Sequence, residues 1–427
     1  MNQELEQLLE LVSRRGINRA EVYQVSSQSE PVFFEGNRLK QLESSQSVGT
    51  ALRLWQDNRP GLAVAYGRVE PELLIDKAIA LARLNEPEVI ELASPHTAVH
   101  DLRGDSASVQ ELITLGENAI ARLRSEYPEL ICSADLEYEQ ESTTLLNSQG
   151  LYCHYDESGL SYSLGAELIR GEDFLGIYDG EYSKSKLNLN PAIEQIIQRL
   201  DWAKNNVNPP QGYVPVLLTA NAATLLWDNV AAALNAKRVR ENSSPWSSLG
   251  QQLVVSEQIS LSQQPELQPY DCPFDDEGMP TQQLDLITEG VLTSFYSDRT
   301  IARELNLKST GNGFRPGLDS YPSPSLINLV VTPGSLSLSE MIEELGNGII
   351  IDQLLGGGGD ISGDFSANVD LGYRVVNGKI TGRIKDTAIA GNVYQILQQP
   401  VILGRDRIWN GSCYTPSMIV EGISVVA

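Results

Sequence analysis

Histidine is scarce in this chain, and the scarcity bounds its chemistry. The 427 residues include three imidazoles, His96, His100 and His154. A zinc site normally draws on imidazole, thiolate and carboxylate, with two ligands about one turn apart on a helix. His96 and His100 are four residues apart, but Pro95 and the polar surroundings argue against a helix there, and His154 sits in a strand-like run. The cysteines Cys132, Cys153, Cys272 and Cys413 form no Cys-x-x-Cys pair, and a thiol without such a neighbour behaves as a small apolar side chain. Carboxylates are plentiful. Asp271, Asp275, Asp276 and Glu277 cluster in DCPFDDEGMP, at spacings that miss an EF-hand. No Asp-Thr/Ser-Gly repeat makes them an aspartic-protease dyad, so a solvated loop is expected, its Asp side chains serving the turn. No Gly-x-Ser-x-Gly elbow is present for a serine nucleophile.

Two glycine-bearing segments are better candidates for binding. The run Gly356, Gly357, Gly358, Gly359 lacks the Lys-Ser/Thr of a phosphate loop. The residues after it are strand-like, so no helix N-terminus waits for an anion. A loop is expected, its backbone open to a partner or an extended ligand. In STGNGFRPG, Gly311 and Gly313 flank Asn312 and permit close backbone approach. Arg315 has two readings, a bidentate grip on a ligand carboxylate or an internal salt bridge.

The elements that position these residues follow from periodicity. Leu5, Leu8, Leu9 and Val12 mark a first helix that Gly16 ends. Strand-like runs from Ala20 to Gly67 break at Glu35-Gly36-Asn37 and Asp57-Asn58-Arg59-Pro60-Gly61, both hairpin signals. Pro71 opens a second helix, residues 86–106 read as a polar loop, and residues 108–128 as a third helix. A second meander over residues 131–170 has turn signals at Ser148-Gln149-Gly150 and at Ser158-Gly159, and Pro191 to Asn205 is a further helix. Strands cluster with strands and helices with helices, which predicts an α+β fold of mainly antiparallel sheets flanked by helices. NNVNPPQG is the linker signal. It divides an N-terminal α+β domain, residues 1–205, from a C-terminal one, residues 213–427, with 206–212 between. YVPVLLTANAATLLWDNVAAALNAK then reads as a strand and a helix. Farther on, a strand pair turns at Asn377-Gly378, and Asp-x-x-x-Ala-Gly-Asn leads into a short helix.

A net charge of -25 repels phosphate backbones and anionic lipid. Direct binding of nucleic acid or of a membrane is therefore not expected. No apolar run is long enough to span a bilayer. The first sixteen residues read as a charged amphipathic helix and not as a signal peptide. With four unpaired cysteines, this predicts a cytoplasmic protein.

The segment LGGGGDISGDFSANVDLGYRVVNGKITGRIKDTAIAGNVYQIL resembles the C-terminal signature of the TldD/PmbA family, peptidase subunits once described as modulators of DNA gyrase. LLNSQGL, DDEGMPTQQLDLITEGVL, STGNGFR, GDFS and AIAGN follow in family order, so the resemblance covers nearly the whole chain. In the catalytic TldD branch, the first helix after the linker strand carries a His-Glu-x-x-x-His motif, and a cysteine near the C-terminus completes the site. Here Trp227, Asp228 and Asn229 occupy that region of the helix, and Cys413 lies near the cysteine position. The departure implies the PmbA branch, also called TldE, whose members pair with a metal-bearing TldD chain. The resemblance thus implies a non-metal-binding subunit with no catalytic residue or metal ligand of its own, and zinc only in a TldD-like partner. The substrate would be a peptide or unfolded protein. Gly311, Asn312, Gly313, Arg315, Gly356 to Gly359, Gly363, Asp364, Phe365, Ser366 and Asn392 are the expected cleft or interface residues. Two other readings stand beside this one. One is a homodimeric peptide-binding or scaffold protein without its own activity, the other an autonomous non-metal hydrolase.

Overall fold

The computed structural model describes residues 3–426, and within that span the surroundings of residues 357–359 lie outside the described residues. The expected architecture is present: an α+β fold of curled, mainly antiparallel sheets with helices packed on them.

An eight-stranded sheet occupies the N-terminal half. Its path runs Arg59–Tyr66, Ser45–Gln56, Ala20–Glu35, Ile131–Asn147, Tyr152–Arg170, Thr97–Arg103, with Arg38–Leu42 and Asp173–Ser183 attached at the side. The hairpins turn where Gly36-Asn37 and Asp57-Asn58 adopt positive φ, as the mirror-image turns of a right-twisted ribbon require. Two expectations fail here. Thr97–Arg103, within the expected loop 86–106, is a strand pairing in parallel with residues 152–158. It is an edge strand, mostly exposed, so it carries no apolar alternation to read. Ser158-Gly159 is no turn but the middle of the strand Tyr152–Arg170. A Cβ at Gly159 would meet the Tyr182 ring at 2.4 Å; the glycine makes room for a tyrosine on the next strand.

Four helices cover this sheet. Gln3–Arg14 and Pro71–Ala82 bury Leu5, Leu8, Ile75 and Ala78 against Val22, Leu52 and Leu54. Val109–Glu126, closed by a Ser108/Glu111 capping box, and Asn190–Trp202 pack elsewhere on the sheet. Their core does not stop at the sheet. Leu136 and Leu164 share one buried cluster with Leu217, Ile350 and Tyr373 of the C-terminal half.

That half holds a nine-stranded sheet, a six-stranded sheet and a two-stranded ribbon. Val216–Leu218 leads into the helix Ala220–Ala233, as the sequence indicates, with a short second helix at Ala236–Arg240. The Asn377-Gly378 turn joins Asp364–Val376 to Lys379–Ile384. The glycine run is not a loop. It ends the strand Gly348–Gly359, with bulges in its pairing to Asp364–Val376 and Gly356 at φ +63°. Between the halves, Val207 N–H donates to Arg383 O at 2.8 Å, and the Asn206 side chain donates to Asp173 at 2.9 Å. No helix among the described residues is long and apolar enough to cross a membrane.

Candidate functional site

Two hollows of about 820 Å³ and about 790 Å³ share Asn221 and Gln353 in their walls; the larger lies between the N-terminal sheet and the C-terminal half, the smaller within the C-terminal half. Three features build the cleft.

The first is a row of rings crossing the larger hollow. Tyr182 of the first sheet stacks on Tyr270 at 5.3 Å, Tyr270 meets Trp409 edge-on at 5.1 Å, and Trp409 stacks on Tyr414 at 4.8 Å. Asp271, next to Tyr270, pairs with Lys184. These contacts are the offset and T-shaped arrangements that ring quadrupoles favour.

The second is a bracing point. Arg199, from the helix Asn190–Trp202, is almost fully buried. It pairs with Asp179 of the first sheet at 3.0 Å and with Asp352 of the strand Gly348–Gly359 at 3.1 Å. Burial pushes the Asp179 carboxyl up, against the pull of Arg199. One residue on, the Gln353 amide accepts from Tyr178 N–H at 3.0 Å and donates to Gly176 O at 3.2 Å. A side-chain amide thus makes the paired bonds that a neighbouring strand would make to Asp173–Ser183.

The third is the helix Ala220–Ala233. Residues at three and four spacing share a face, and Asn221, Thr224, Leu225, Asp228 and Ala232 line the smaller hollow. Trp227 points away, fully buried, its indole N–H donating to Thr415 Oγ1 at 2.7 Å. Burial pushes the Asp228 carboxyl up. Cys413 is buried nearby, its thiol pushed up to about 12 by burial, with the Asp228 charge adding to the effect. The fold therefore brings together the two positions where metal ligands were sought. They do not fit zinc, which needs deprotonated donors. Two donors are too few, and burial keeps the thiol protonated. Among the described residues no group of three or more His, Cys, Asp or Glu is arranged to hold a metal ion. His100 and His154 lie on Thr97–Arg103 and Tyr152–Arg170, strands of the first sheet.

The expected site residues fall in three places. Gly311, Asn312, Gly313 and Arg315 are inside the molecule and on no cleft wall. Asn312, 0% exposed, donates to Gln263 Oε1 at 2.6 Å and Ser325 O at 2.7 Å, and accepts from Thr310 at 2.7 Å. Arg315 takes the internal reading: its guanidinium pairs with Glu21 at 2.6 Å, donates to Ser320 O at 2.9 Å and lies 5.2 Å from the Tyr23 ring. Gly356 borders the smaller hollow, whereas the surroundings of Gly357, Gly358 and Gly359 lie outside the described residues. Gly363, Asp364, Phe365, Ser366 and Asn392 form a third group, since Asp364 and Asn392 are register partners. The Asn392 amide donates to Asp364 at 2.8 Å and to Ser362 O at 3.0 Å, and its oxygen caps the helix Val393–Leu397. Phe365 is buried in the core, and Ser366 faces outward.

Asp275 and Glu277 are likewise buried and Asp276 half-buried, not in a solvated loop. Asp275 is 0% exposed and accepts the N–H groups of Glu277, Met279 and Gly313. Arg315 N–H donates to Asp276 at 2.7 Å. The ring row, Arg199 and Gln353 carry no local sequence signal. The cleft face of Ala220–Ala233 does, as the polar side of a helical repeat.

Two family models match this chain. The one described as the PmbA/TldA metallopeptidase C-terminal domain covers residues 211–427, and PmbA/TldA metallopeptidase domain 1 covers residues 20–82. The chain belongs to the PmbA/TldD metallopeptidase family. It is 32% identical over 201 residues to a metalloprotease TldD homolog of Buchnera aphidicola, covering 46% of this chain and 42% of that protein. It is 30% identical over 217 residues to the metalloprotease PmbA of Escherichia coli O157:H7, covering 49% and 46%. In both cases the match spans less than half of the relative's length. The crystal structure of TldE from Thermococcus kodakarensis superposes with a TM-score of 0.91 at 23% identity, over 99% of this chain and 100% of that one. That likeness is one of fold.

Proposed function

We propose that this chain is the non-metal-binding, TldE-like subunit of a TldD/TldE-type metallopeptidase that degrades or trims peptides. In this reading a TldD-like partner supplies zinc, its activated water and the general base, and this chain closes the cleft around an extended peptide. The observation that carries it is the cleft face of Ala220–Ala233. It offers Asn221, Thr224, Leu225 and Asp228 to the hollow, groups able to line a groove, with one carboxylate and no imidazole. The strand opposite supports the same reading. Gly348–Gly359 pairs with Val216–Leu218 through Ile349–Ile351 alone. At Gln353, Leu354 and Gly356 the strand borders the hollow, where an extended peptide's amides can pair without sequence selectivity.

The test is to purify the chain from its native extract without chelator, identify what accompanies it, and measure zinc per chain and peptide hydrolysis with and without the partner. The expected result is a stoichiometric partner bearing His-Glu-x-x-x-His, with zinc and hydrolysis present when it is. Stoichiometric zinc on this chain alone overturns the proposal. So does chelator-resistant hydrolysis by the isolated chain, which would mark an autonomous hydrolase. A homodimer without companion or zinc would mark a scaffold.

A further inference from the structure

The buried acids Asp275 and Glu277 have no part in that reading, and their geometry carries an inference of its own. Their turn is pressed onto the first sheet. Phe274 packs with Tyr23, Leu145 and Cys153, and a Cβ at Gly278, φ +73°, would come within 2.5 Å of Leu151. Asp275 and Glu277 differ in how they are served. Asp275 accepts three backbone N–H groups, from Glu277 at 3.0 Å, Met279 at 2.9 Å and Gly313 at 2.8 Å, which favour its anion against the burial that pushes the carboxyl up to about 7. Glu277, 7% exposed, accepts one, from Arg299 N–H at 2.9 Å.

Around Glu277 stand Asp275 and Asp276 of its own turn, Asp298 and Arg299 at the start of the helix Arg299–Glu304, and Arg53 of the first sheet. The nearby guanidinium groups are engaged elsewhere. Arg53 pairs with Glu21 at 3.0 Å, Arg315 with Glu21 at 2.6 Å, and Arg299 donates to the carbonyls of Glu91 and Leu92. An anion at Glu277 would face the like charges of Asp275 and Asp298 with a single hydrogen bond. The neutral acid faces neither penalty.

We propose that this turn is a proton-operated latch between the first sheet and the C-terminal half, closed while Glu277 carries its proton and loosened when it ionises. The turn continues directly into the cleft wall. Asp271, paired with Lys184, and Tyr270, stacked on Tyr182 and touching Trp409, precede it by a few residues. Loosening the latch therefore frees the row of rings. Burial, then Asp275, push the Glu277 carboxyl upward. Its contribution to stability is full below the ordinary carboxylate range and is lost as pH rises through the raised value.

The test compares the full chain with Glu277→Gln, which keeps the shape and cannot ionise. Thermal midpoints and amide exchange of residues 271–281 are followed from about pH 5 to about pH 9. The two proteins should match at the acid end. At the alkaline end the wild type should melt lower, and the segment should exchange about tenfold faster than in the variant at the same pH, the ratio for one unit of differential protonation. Parallel curves overturn the proposal. Asp275→Asn, which sets an amide N–H against backbone donors that both carboxyl oxygens now accept, should melt lower at every pH. If it flattens the profile instead of Glu277→Gln, the proton belongs to Asp275 and the latch as assigned is wrong.

Discussion

Replacing Arg315 by methionine tests whether the Arg315–Glu21 contact holds the two halves together. Methionine keeps an apolar stem of similar length and removes the guanidinium that lies over Tyr23. Glu21 and Arg315 have side chains 5% and 3% exposed, 2.6 Å apart, so solvent screening does not apply. Removing one partner of a buried pair costs about 3–5 kcal/mol, because the other charge is left uncompensated. Glu21 retains Arg53 at 3.0 Å, which places the loss at the lower end, about 3 kcal/mol. The lost bond to Ser320 O, 2.9 Å, adds about 1 kcal/mol. The expectation is therefore about 4 kcal/mol, read as a lower urea midpoint at neutral pH with unchanged slope. Arg315→Met combined with Glu21→Gln should cost less than the sum of the two single variants, since the two groups couple, but it leaves Arg53 without its partner and so does not restore the wild-type midpoint. A loss below about 1 kcal/mol, the value of an exposed ion pair, or strict additivity in the double variant, would refute the reasoning.

Further outcomes follow from other contacts. Gly61→Ala should cost about 1–3 kcal/mol by overpacking, because its Cβ would stand 2.0 Å from Ala78 O and 2.7 Å from Ala82 N; thermal unfolding reads it, and an unchanged midpoint would mean the helix Pro71–Ala82 shifts freely. Burial opposes ionisation of Asp173, yet Lys385, Asn206 and Arg383 outweigh it and hold the carboxyl at about 2. Its contribution is present above the ordinary carboxylate pKa and lost as pH falls through the lowered value. Asp173→Asn should thus melt lower than wild type at neutral pH, with the gap closing toward about pH 2; a gap independent of pH would contradict this. Asp228→Asn should leave the zinc content of the purified complex unchanged, measured by elemental analysis, because one carboxylate beside a protonated thiol is too few donors to hold the metal.

Local rules carried much of the fold. Helical spacing at Leu5, Leu8 and Val12, the Gly36-Asn37 and Asn377-Gly378 turns, and the strand-to-helix step at Val216–Ala233 are properties of short windows, and the structure has them. Thr97–Arg103 escaped because an exposed edge strand needs no apolar alternation. Ser158-Gly159 misled because glycine there serves the Tyr182 ring and not a turn. The glycine run misled similarly, since a bulged strand end tolerates it. The site was less legible. Arg315 and Asn312 looked accessible because their glycine neighbours suit both a ligand loop and a tight internal packing. Arg315 is buried against Glu21, in a sheet nearly three hundred residues earlier in the chain, and Asn312 among Gln263, Thr310 and Ser325. Asp275 and Glu277 looked solvated for the same reason. Tyr182, Tyr270, Trp409 and Tyr414 become neighbours through the tertiary fold alone.

The core that Leu136 and Leu164 share with Leu217, Ile350 and Tyr373 makes the pieces of this chain non-exchangeable parts. A chimera joining this N-terminal half to a relative's C-terminal half would inherit mismatched knobs and hollows at an apolar, close-packed seam. A chain nicked within residues 206–212 would still travel as one particle, its fragments held by that common apolar interior and by Arg199. Drift at any of these positions must be answered across the seam, so the two halves change in step.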